Sequence, residues 1–438
     1  MDKQNAGNEK ERNEKERNNY TLIINYPVLG AGGIETCLVA LMRYYLKQGN
    51  RVIWLTTTRY RHNVAFKGLL ETPGLEIVIW ENWSRLFDAP RIVFGKNERV
   101  IMITCRAMHY IAGEALVRKA GTREFKHIYT VAHHSGPAYY PDRRMKTVLG
   151  KQLAYWYWKR ILMQLVEKNC LFGFAPVQLD NYEAHYHVSI PNKMECLMPF
   201  VGSELGEFDE ENAAVREQER KNRFIITTCA RFEFPHKGYM LGLVDSFCLL
   251  KEKYPHVVLQ IIGDGENREA LIEKVSNLPD KIRRDIILTG IVSPDNLNGY
   301  YKNSHVIVGL AGAIMNGARS GIPSIVVRHN CNECEAYGFY EDAFEKSLCE
   351  EPGEDITSLL EQCITMSREE YLGHGRAGFQ TVEALLEAVM REQKAEVASR
   401  FYFARSASEE YTTTQKFYER ITGRILYVIT ELKNRFER

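Results

Sequence analysis

The chain has 438 residues and a formal net charge of +1, with 45% hydrophobic and 11% aromatic residues. This length is typical of two or three domains, and the composition provides large hydrophobic cores, which excludes a disordered or fibrous protein. The sequence has no run of eighteen apolar residues, its first residues are unlike a signal peptide, and its ten cysteines follow no framework of spacings. We therefore expect a cytoplasmic globular protein with reduced thiols.

The net charge hides an asymmetry between the two halves. Residues 1–200 contain 28 Lys and Arg against 18 Asp and Glu, whereas residues 201–438 contain 29 against 38. A basic half favours an anionic partner, such as a membrane surface, a phosphorylated lipid or a nucleic acid. The alternative is that the opposite charges help the halves to dock. No nucleic-acid-binding motif supports the nucleic-acid reading, and we expect no such partner.

Residues 1–19 are charged and repetitive, which predicts a disordered tail. A first buried strand is predicted at 20–25, and a glycine loop containing Gly32 and Gly33 leads into a helix ending near Leu46 and a strand at 51–56. Such a loop before a helix offers free backbone N–H groups that suit a phosphate. Its spacing is neither G-x-G-x-x-G nor a P-loop. A tight turn that needs glycine for steric reasons is the alternative.

Two adjacent histidines follow a predicted strand at 127–132. His133 and His134 lie where ligand sites are built in α/β proteins, and one of them could bond a substrate hydroxyl or transfer a proton. A structural role is the alternative. A metal site is disfavoured, because no Cys, Asp or Glu lies nearby in sequence to complete it. We expect no metal.

The segment 143–172 mixes basic residues with a Tyr-Trp-Tyr-Trp run at 155–158 and an apolar stretch. Aromatic rings and cations of this kind suit the interface of an anionic membrane. Packing of an interior helix is the alternative. The segment therefore predicts a helix and leaves its partner open.

The second half begins with a β-prone run at 224–230 that ends at Arg231, and Lys237 and Gly238 follow before a helical pattern. Strand, cationic loop and helix in this order place two positive charges near the carboxyl end of a parallel strand, where open α/β sheets bind ligands. An arginine forks around phosphate oxygens and a lysine adds a compact charge, so the pair suits a diphosphate. The alternative is two solvated loop cations.

The rest of the chain continues the alternation of predicted strands and helices. Further strands are predicted at 76–80, 100–104, 257–262, 286–289, 306–308 and 324–327, with a Gly-x-Gly turn at 263–265. We expect two α/β domains with a cleft between them. The predicted boundaries are a tail at 1–19, a first domain at 20–200, a linker at 201–222, a second domain at 223–350 and a helical segment at 351–438. Part of that last segment is expected to pack on the first domain.

These motifs together resemble the GT-B glycosyltransferases, and specifically the retaining nucleotide-sugar enzymes of glycosyltransferase family 4. The resemblance covers about residues 20–330, through the Gly-Gly loop, the Arg and Lys-Gly pair, the Gly-x-Gly turn and a Leu-x-Gly-x-Val run ending in Tyr-Tyr at 288–301. It implies two Rossmann-like domains with parallel sheets that face a cleft. It also implies that Arg231 and Lys237 hold the donor diphosphate together with Gly32 and Gly33.

The resemblance assigns further residues by their place in the motifs. It puts four residues around the nucleotide, with the backbone near Val292 beside the base: Gly263, Val292, Met315 and Asn316. It also puts a histidine on the donor sugar, His133 by its spacing, with His134 as the alternative. The donor would be a nucleotide sugar, UDP preferred over GDP, and no other cofactor is expected.

One departure concerns the paired glutamates of the family. Counting back from Gly321-Ile-Pro323, these positions fall at Val308 and Asn316, so neither carboxylate is present. An asparagine can still bond a ribose, but without a charge the contact is weaker by about 1 kcal/mol. A lone C-x-x-C at Cys331 and Cys334 is a weak zinc or redox signal.

The leading hypothesis is a metal-independent glycosyltransferase that acts with retention on a glycan or lipid-linked acceptor in cell-surface polysaccharide or glycoconjugate synthesis. We expect it in the cytoplasm, with peripheral contact at the inner face of the membrane as an open possibility. Because the two carboxylates are missing, the competing hypothesis is a non-catalytic subunit that binds a glycan or a partner enzyme.

Overall fold

The structure is a computed structural model of the whole chain. It describes the following residues, and every structural statement below concerns these alone: 20–30, 32–57, 66–80, 90–95, 98–120, 124–131, 140–143, 145–173, 176–191, 206–293, 296–347 and 349–392. The chain divides into two compact units. Of the described residues, unit 1 holds 20–30, 34–191 and 389–392, and unit 2 holds 32–33 and 206–388.

Thirteen strands occur in the described residues. In chain order they are β1 (Tyr20–Asn25), β2 (Arg51–Thr56), β3 (Leu75–Ile79), β4 (Arg99–Thr104), β5 (Glu124–Val131), β6 (Leu171–Gly173), β7 (Phe224–Cys229), β8 (Val257–Ile262), β9 (Ile286–Gly290), β10 (Val306–Gly309), β11 (Ser324–Val327), β12 (Glu335–Phe339) and β13 (Glu354–Asp355).

Helices alternate with these strands. In the described part of the chain they are α1 (Gly33–Lys47), α2 (Ala107–Lys119), α3 (Val148–Glu167), α4 (Pro176–Tyr186), α5 (Glu210–Glu219), α6 (Tyr239–Lys253), α7 (Arg268–Ser276), α8 (Asp280–Arg283), α9 (Leu297–Lys302), α10 (Ala311–Arg319), α11 (Tyr340–Ala343), α12 (Thr357–Thr365) and α13 (Arg368–Glu392).

Unit 1 is built on a six-stranded sheet with the order β3-β2-β1-β4-β5-β6. All of its strand pairs are parallel. A parallel sheet needs crossover helices and is covered on both faces, so its central strands are continuous apolar runs. The run at 22–24 illustrates this, since its three side chains are at most 1% exposed.

Unit 2 is built on a seven-stranded sheet with the order β13-β12-β11-β10-β7-β8-β9. The five strands from β11 to β9 are parallel, and at the other end of the sheet β12 pairs antiparallel with both β11 and β13. The main core of this unit packs between the sheet and helices that include α6 and α12. The expectation of two α/β, Rossmann-like units with parallel sheets is therefore confirmed, and the antiparallel edge was not predicted.

The predicted linker at 201–222 contains α5, and buried arginines hold this helix on unit 2. Arg216 donates to the carbonyl oxygens of Ser320 and Gly321 at 3.1 and 2.9 Å. Arg220 donates to three carbonyls around the end of α12, those of residues 363, 364 and 366. The carbonyls at a helix end lack partners within the helix, so these two guanidinium groups act as side-chain caps.

The carboxyl-terminal segment predicted at 351–438 is described as far as Glu392, where it forms β13, α12 and α13. Residues 1–19 and 393–438 lie outside the described residues. Among the helices that are described, none is both long and apolar enough to cross a lipid bilayer.

Candidate functional site

The loops after the parallel strands of unit 2 emerge at one edge of its sheet. β7 pairs with β10 on one side and with β8 on the other, so the strand order reverses beside β7. In open α/β sheets this reversal leaves a crevice at the carboxyl ends of the strands, and ligands bind there. Arg231 follows β7 and Leu310 follows β10, so the two loops that flank the crevice begin at these residues.

Arg231 and Lys237 lie in the same loop, which leads from β7 to α6. Arg231 is exposed and Lys237 is half-buried. Burial lowers the pKa of Lys237 to about 7, the carboxylate of Glu233 acts in the opposite direction, and the charge of Arg231 lowers the pKa further. The two predicted diphosphate ligands therefore lie six positions apart in one loop at the crevice.

The Gly-x-Gly turn after β8 supports the Arg231 loop from one side. A Cβ atom on Gly263, whose φ is +141°, would overlap the carbonyl oxygen of Ala230, and one on Gly265 would lie 2.5 Å from the carbonyl oxygen of Phe232. The Phe232 N–H donates to the Asp264 carbonyl at 3.0 Å. Glycine is therefore needed here so that the two loops can pack closely. Gly263 contributes to the site by supporting the loop that contains Arg231.

The C-x-x-C segment packs on the start of α6. A Cβ on Gly238 would overlap the Asn332 side chain, and a Cβ on Gly242 would overlap the backbone nitrogen of Cys334. The Cys331 thiol donates to a carboxylate oxygen of Glu333 at 3.1 Å. Within the described ranges, no group of three or more His, Cys, Asp or Glu side chains is arranged to hold a metal ion. The segment therefore fixes the position of the Lys237 turn.

A histidine pair that the sequence analysis missed joins two loops of this edge. His329 follows β11, is 1% exposed, and its Nε2 lies 2.5 Å from Nδ1 of His236, the residue before Lys237. Burial and then the charge of Lys237 lower the pKa of His329 to about 4, so this imidazole is neutral at pH 7. The two rings lie nearly perpendicular, with centroids 4.4 Å apart. They tie the β11 loop to the cationic loop.

The two positions of the missing glutamates differ in surroundings. Val308 lies in β10, is fully buried and belongs to the core of unit 2. A carboxylate at 308 would therefore enter the hydrophobic core rather than the edge of the sheet. Asn316 lies on α10 and is half-buried, as is its neighbour Met315. Val292, the predicted base contact, is half-buried after β9.

The start of α10, close after β10, has an unusual backbone. Ala311 has φ +52°, a left-handed conformation that costs a residue with a Cβ about 1–2 kcal/mol. Its N–H donates to the Ser347 hydroxyl at 2.6 Å, which holds this conformation. The first N–H groups of α10 that follow have no partner within the helix and favour an anion. Backbone strain of this kind is commonest at functional sites.

Unit 1 has its own reversal of strand order, between β1 and β4. Gly33 begins α1 after β1 and has no positive φ, and a Cβ on it would meet no described atom within 4 Å. Neither backbone conformation nor crowding in the described structure explains this glycine. Arg106 follows β4, is exposed, and its guanidinium lies 5.0 Å from the ring centroid of Tyr26.

Arg106 was missed, although a signal for it exists in the sequence. It stands two residues after the end of β4, as Arg231 stands two residues after the end of β7. The predicted histidines His133 and His134 lie outside the described residues, so their roles stay predictions. The structure therefore brings Arg231, Lys237, Gly263, Val292, Met315 and Asn316 to loops or a helix at one sheet edge, and places Gly33 after the first strand of unit 1.

Three solved structures are similar to this chain over most of its length. HepE (Alr3699) from Anabaena, in complex with UDP and glucose, is 13% identical with a TM-score of 0.56, and the match covers 86% of this chain and 99% of that chain. A glycosyltransferase from Rickettsia africae is 13% identical with a TM-score of 0.54, covering 88% and 99%. WaaG, a glycosyltransferase involved in lipopolysaccharide biosynthesis, is 12% identical with a TM-score of 0.52, covering 86% and 99%.

The chain has the GT-B fold. At these identities the likeness establishes the fold alone, and the assignment to family 4 and the retaining stereochemistry stay predictions. The sequence itself matches no protein-family model and none of the curated proteins.

Proposed function

We propose that this GT-B protein is a glycosyltransferase that moves a sugar from UDP to a glycan or lipid-linked acceptor with retention of the anomeric configuration. The observation that carries the proposal is the position of Arg231 and Lys237 at the strand-order reversal of unit 2. Two cations in one loop at this crevice match the two phosphates of a nucleotide sugar. The solved structure of the GT-B protein HepE contains UDP and glucose, which supports UDP as the nucleotide.

The diphosphate would be held by charge from three sources. Arg231 is exposed and can bond two phosphate oxygens with one planar fork. Lys237 adds a second cation from a half-buried position, where charge interactions are stronger than in water. The start of α10 offers backbone N–H groups and the positive end of a helix dipole. Gly33, whose glycine no described contact explains, would bring one further N–H close to the phosphates.

The chemistry would draw on these same groups. The bond between the anomeric carbon and the donor phosphate oxygen breaks, and a bond from that carbon to the acceptor oxygen forms on the same face of the sugar. The acceptor hydroxyl proton passes to the departing phosphate oxygen, so no separate general base is required. Arg231 and Lys237 would stabilise the negative charge that grows on the diphosphate, which is the largest contribution in most such reactions.

The nucleoside and the sugar would be held by weaker contacts. Asn316 on α10 is half-buried and can bond a ribose hydroxyl, and the backbone near Val292 would meet the base. Neither contact carries a charge. Because Val308 lies in the core, position 308 offers no contact to the sugar, and we propose His133 or His134 for that contact instead. The proposed contacts therefore restrict the identity of the donor sugar less than they restrict the diphosphate.

We further propose a cytoplasmic enzyme of cell-surface polysaccharide or glycoconjugate synthesis. The fold neighbour WaaG acts in lipopolysaccharide biosynthesis, which supports this class of process without naming an acceptor. A lipid-linked acceptor would require contact with a membrane, and a surface on α3 is suited to that contact.

A non-catalytic role is the second candidate. The observation that favours it is the absence of charged contacts to the ribose and sugar, with valine at 308 and asparagine at 316. A subunit of this kind would keep the fold and lose the nucleotide. The two candidates therefore differ in whether the crevice of unit 2 still binds a nucleoside diphosphate.

Calorimetry with UDP and with GDP tests this difference. The enzyme should bind UDP, and a panel of UDP-sugars should raise the unfolding temperature, because a ligand at about 100 times its dissociation constant adds about 2.7 kcal/mol to stability. The Arg231→Ala variant removes one of the two proposed diphosphate contacts. Its matched control is Arg284→Ala, which removes an exposed arginine from unit 2 near β9. Binding of neither nucleotide by the wild type would favour the non-catalytic subunit.

A further inference from the structure

Helix α3 of unit 1 has two faces of different character. Its buried residues are Gly150, Ala154, Trp158, Leu162 and Leu165, spaced three or four apart. They lie on one stripe of the helix, and Trp158 packs in a core cluster with an exposure of 1%. This face accounts for the interior packing considered for segment 143–172, and Tyr155, Ile161 and Val166 beside it are partly buried against the same cluster.

The other face of α3 exposes several large apolar side chains. The exposed side chains on it are Val148 (74%), Leu149 (66%), Leu153 (40%), Trp156 (65%) and Met163 (54%). At 100° per residue these five positions fall within a sector of about 140° opposite the buried stripe. They are five of the eleven large exposed hydrophobic side chains in the described chain. A cluster of this kind marks an interaction surface rather than the scatter expected on a soluble protein.

Basic residues dominate the charge around this apolar face, and Glu167 in the last turn is the acidic residue of α3. Residues 143–163 contain six Lys and Arg and no Asp or Glu. Lys151 and Arg160 are exposed on the helix, and the Lys159 ammonium lies 5.7 Å from the Trp156 ring centroid and 6.0 Å from that of Tyr155. A tryptophan beside cations is the arrangement that places a ring at headgroup depth while the charges meet lipid phosphates.

We propose that this exposed face of α3 docks the protein on an anionic phospholipid surface. The helix would lie in the plane of the interface, with Leu149, Leu153, Trp156 and Met163 toward the acyl chains and the basic side chains toward the phosphates. The surface belongs to unit 1 and shares no residue with the crevice of unit 2, so the proposal does not depend on the chemistry proposed there.

The charge pattern also favours an anionic phospholipid surface over a second copy of the chain as the partner of this face. A twofold dimer through this face would bring the same basic segment of both copies together, and like charges at an interface oppose association. An anionic bilayer supplies both an apolar layer and the opposite charge. An acidic protein partner would satisfy the charge alone, without using the five apolar side chains as an insertion surface.

Co-sedimentation of the full-length protein with vesicles tests the proposal. The protein should pellet with vesicles of phosphatidylcholine mixed with phosphatidylglycerol and stay in solution with phosphatidylcholine alone, and added salt should weaken the binding. Equal partition onto both vesicles, or onto neither, would contradict it.

Variants separate the two parts of the surface. Leu149→Ser with Trp156→Ser should lower the partition coefficient at least tenfold, and so should Lys151→Glu with Arg160→Glu. The matched controls are Leu249→Ser, which changes an exposed leucine on α6 in unit 2, and Lys281→Glu, which changes an exposed lysine on α8. Both controls should bind as the wild type does, and thermal unfolding midpoints should show that all variants are folded.

Trp156→Phe tests insertion itself. This variant should keep vesicle binding, since phenylalanine is also apolar, but it should lose most of the blue shift of tryptophan emission that anionic vesicles cause in the wild type. A shift of equal size in Trp156→Phe would place another tryptophan at the membrane. A concentration-dependent dimer in solution that Trp156→Ser abolishes would assign the face to a second copy and overturn the proposal.

Discussion

The pKa of Lys237 leads to a quantitative prediction for nucleotide binding. Burial lowers this pKa from 10.5 to about 7 in the free protein, so about half of the molecules carry the charge at pH 7. A bound diphosphate favours the charged form and returns the pKa toward its ordinary value. By linkage, binding then takes up protons, and the affinity for UDP falls as pH rises above 7.

The size of the effect follows from the shift. If the bound pKa lies well above 9, the dissociation constant of UDP rises about 50-fold between pH 7 and pH 9, because above the free pKa each pH unit costs about a factor of ten. The terminal phosphate of UDP, with a pKa near 6, is almost fully ionised over this range. Calorimetry at pH 7 in two buffers of different ionisation enthalpy should also give an uptake of about half a proton per UDP bound.

Lys237→Arg is the matched variant, because a guanidinium stays charged at all of these pH values. Its UDP affinity should be nearly flat from pH 7 to 9, and its binding should take up almost no protons. A variant that kept the wild-type slope would assign the pH dependence to another group. Binding of UDP without proton uptake by the wild type would refute the reasoning about Lys237 while leaving the proposed nucleotide site intact.

Three further predictions concern the scaffold around the site. Arg220→Met removes a buried guanidinium that bonds three carbonyls and should lower the free energy of unfolding by about 3 kcal/mol in urea titrations, whereas the exposed Arg223→Met should change it by less than about 0.5 kcal/mol. Gly242→Ala should cost about 3 kcal/mol or more because its Cβ overlaps the Cys334 backbone, whereas Gly373→Ala on α13, with nothing within 4 Å, should stabilise by about 1 kcal/mol. For His305, burial lowers the pKa to about 4 and the unprotonated Nδ1 accepts the Ile225 N–H at 3.0 Å, so stability should fall by about 3 kcal/mol between pH 6.5 and 4 through this group alone.

Each scaffold prediction has an outcome that would contradict it. Equal losses in Arg220→Met and Arg223→Met would mean that the Arg220 cap on α12 contributes little. Full stability of Gly242→Ala would mean that the 331–334 segment can move away from α6. The sign for His305 follows from its depressed pKa, since the unfolded state binds the proton first as the pH falls. A His305→Gln variant that loses as much stability as the wild type between pH 6.5 and 4 would refute it.

Local patterns were enough to predict the strands that bound the candidate site. The runs at 20–25, 224–229 and 257–262 are mostly apolar, and Arg231 and Gly263 follow soon after the last two. Such runs reflect the burial of central parallel strands on both faces. The two strands at the β13 end of the sheet in unit 2 were harder to predict. β12 and β13 are short, carry charged residues and pair antiparallel. The sequence therefore has no apolar run that would predict them.

Contacts between distant segments could not be read from the sequence. His236 and His329 are 93 residues apart in the chain, and the Arg220 caps reach 143 to 146 residues ahead. The linker prediction was based on polar composition, and composition does not reveal that α5 buries two arginines at helix ends. The same limit explains Val308, because its burial depends on strands and helices that pack on both faces of β10.

The Arg231→Ala variant tests the central claim most directly, in an assay of sugar transfer from a UDP-sugar donor identified by thermal stabilisation. If Arg231 stabilises the departing diphosphate, transfer should fall by about 100-fold or more, with an unchanged unfolding temperature, while Arg284→Ala keeps wild-type activity. Transfer by Arg231→Ala at the wild-type rate would contradict the placement of the donor diphosphate in the crevice beside β7.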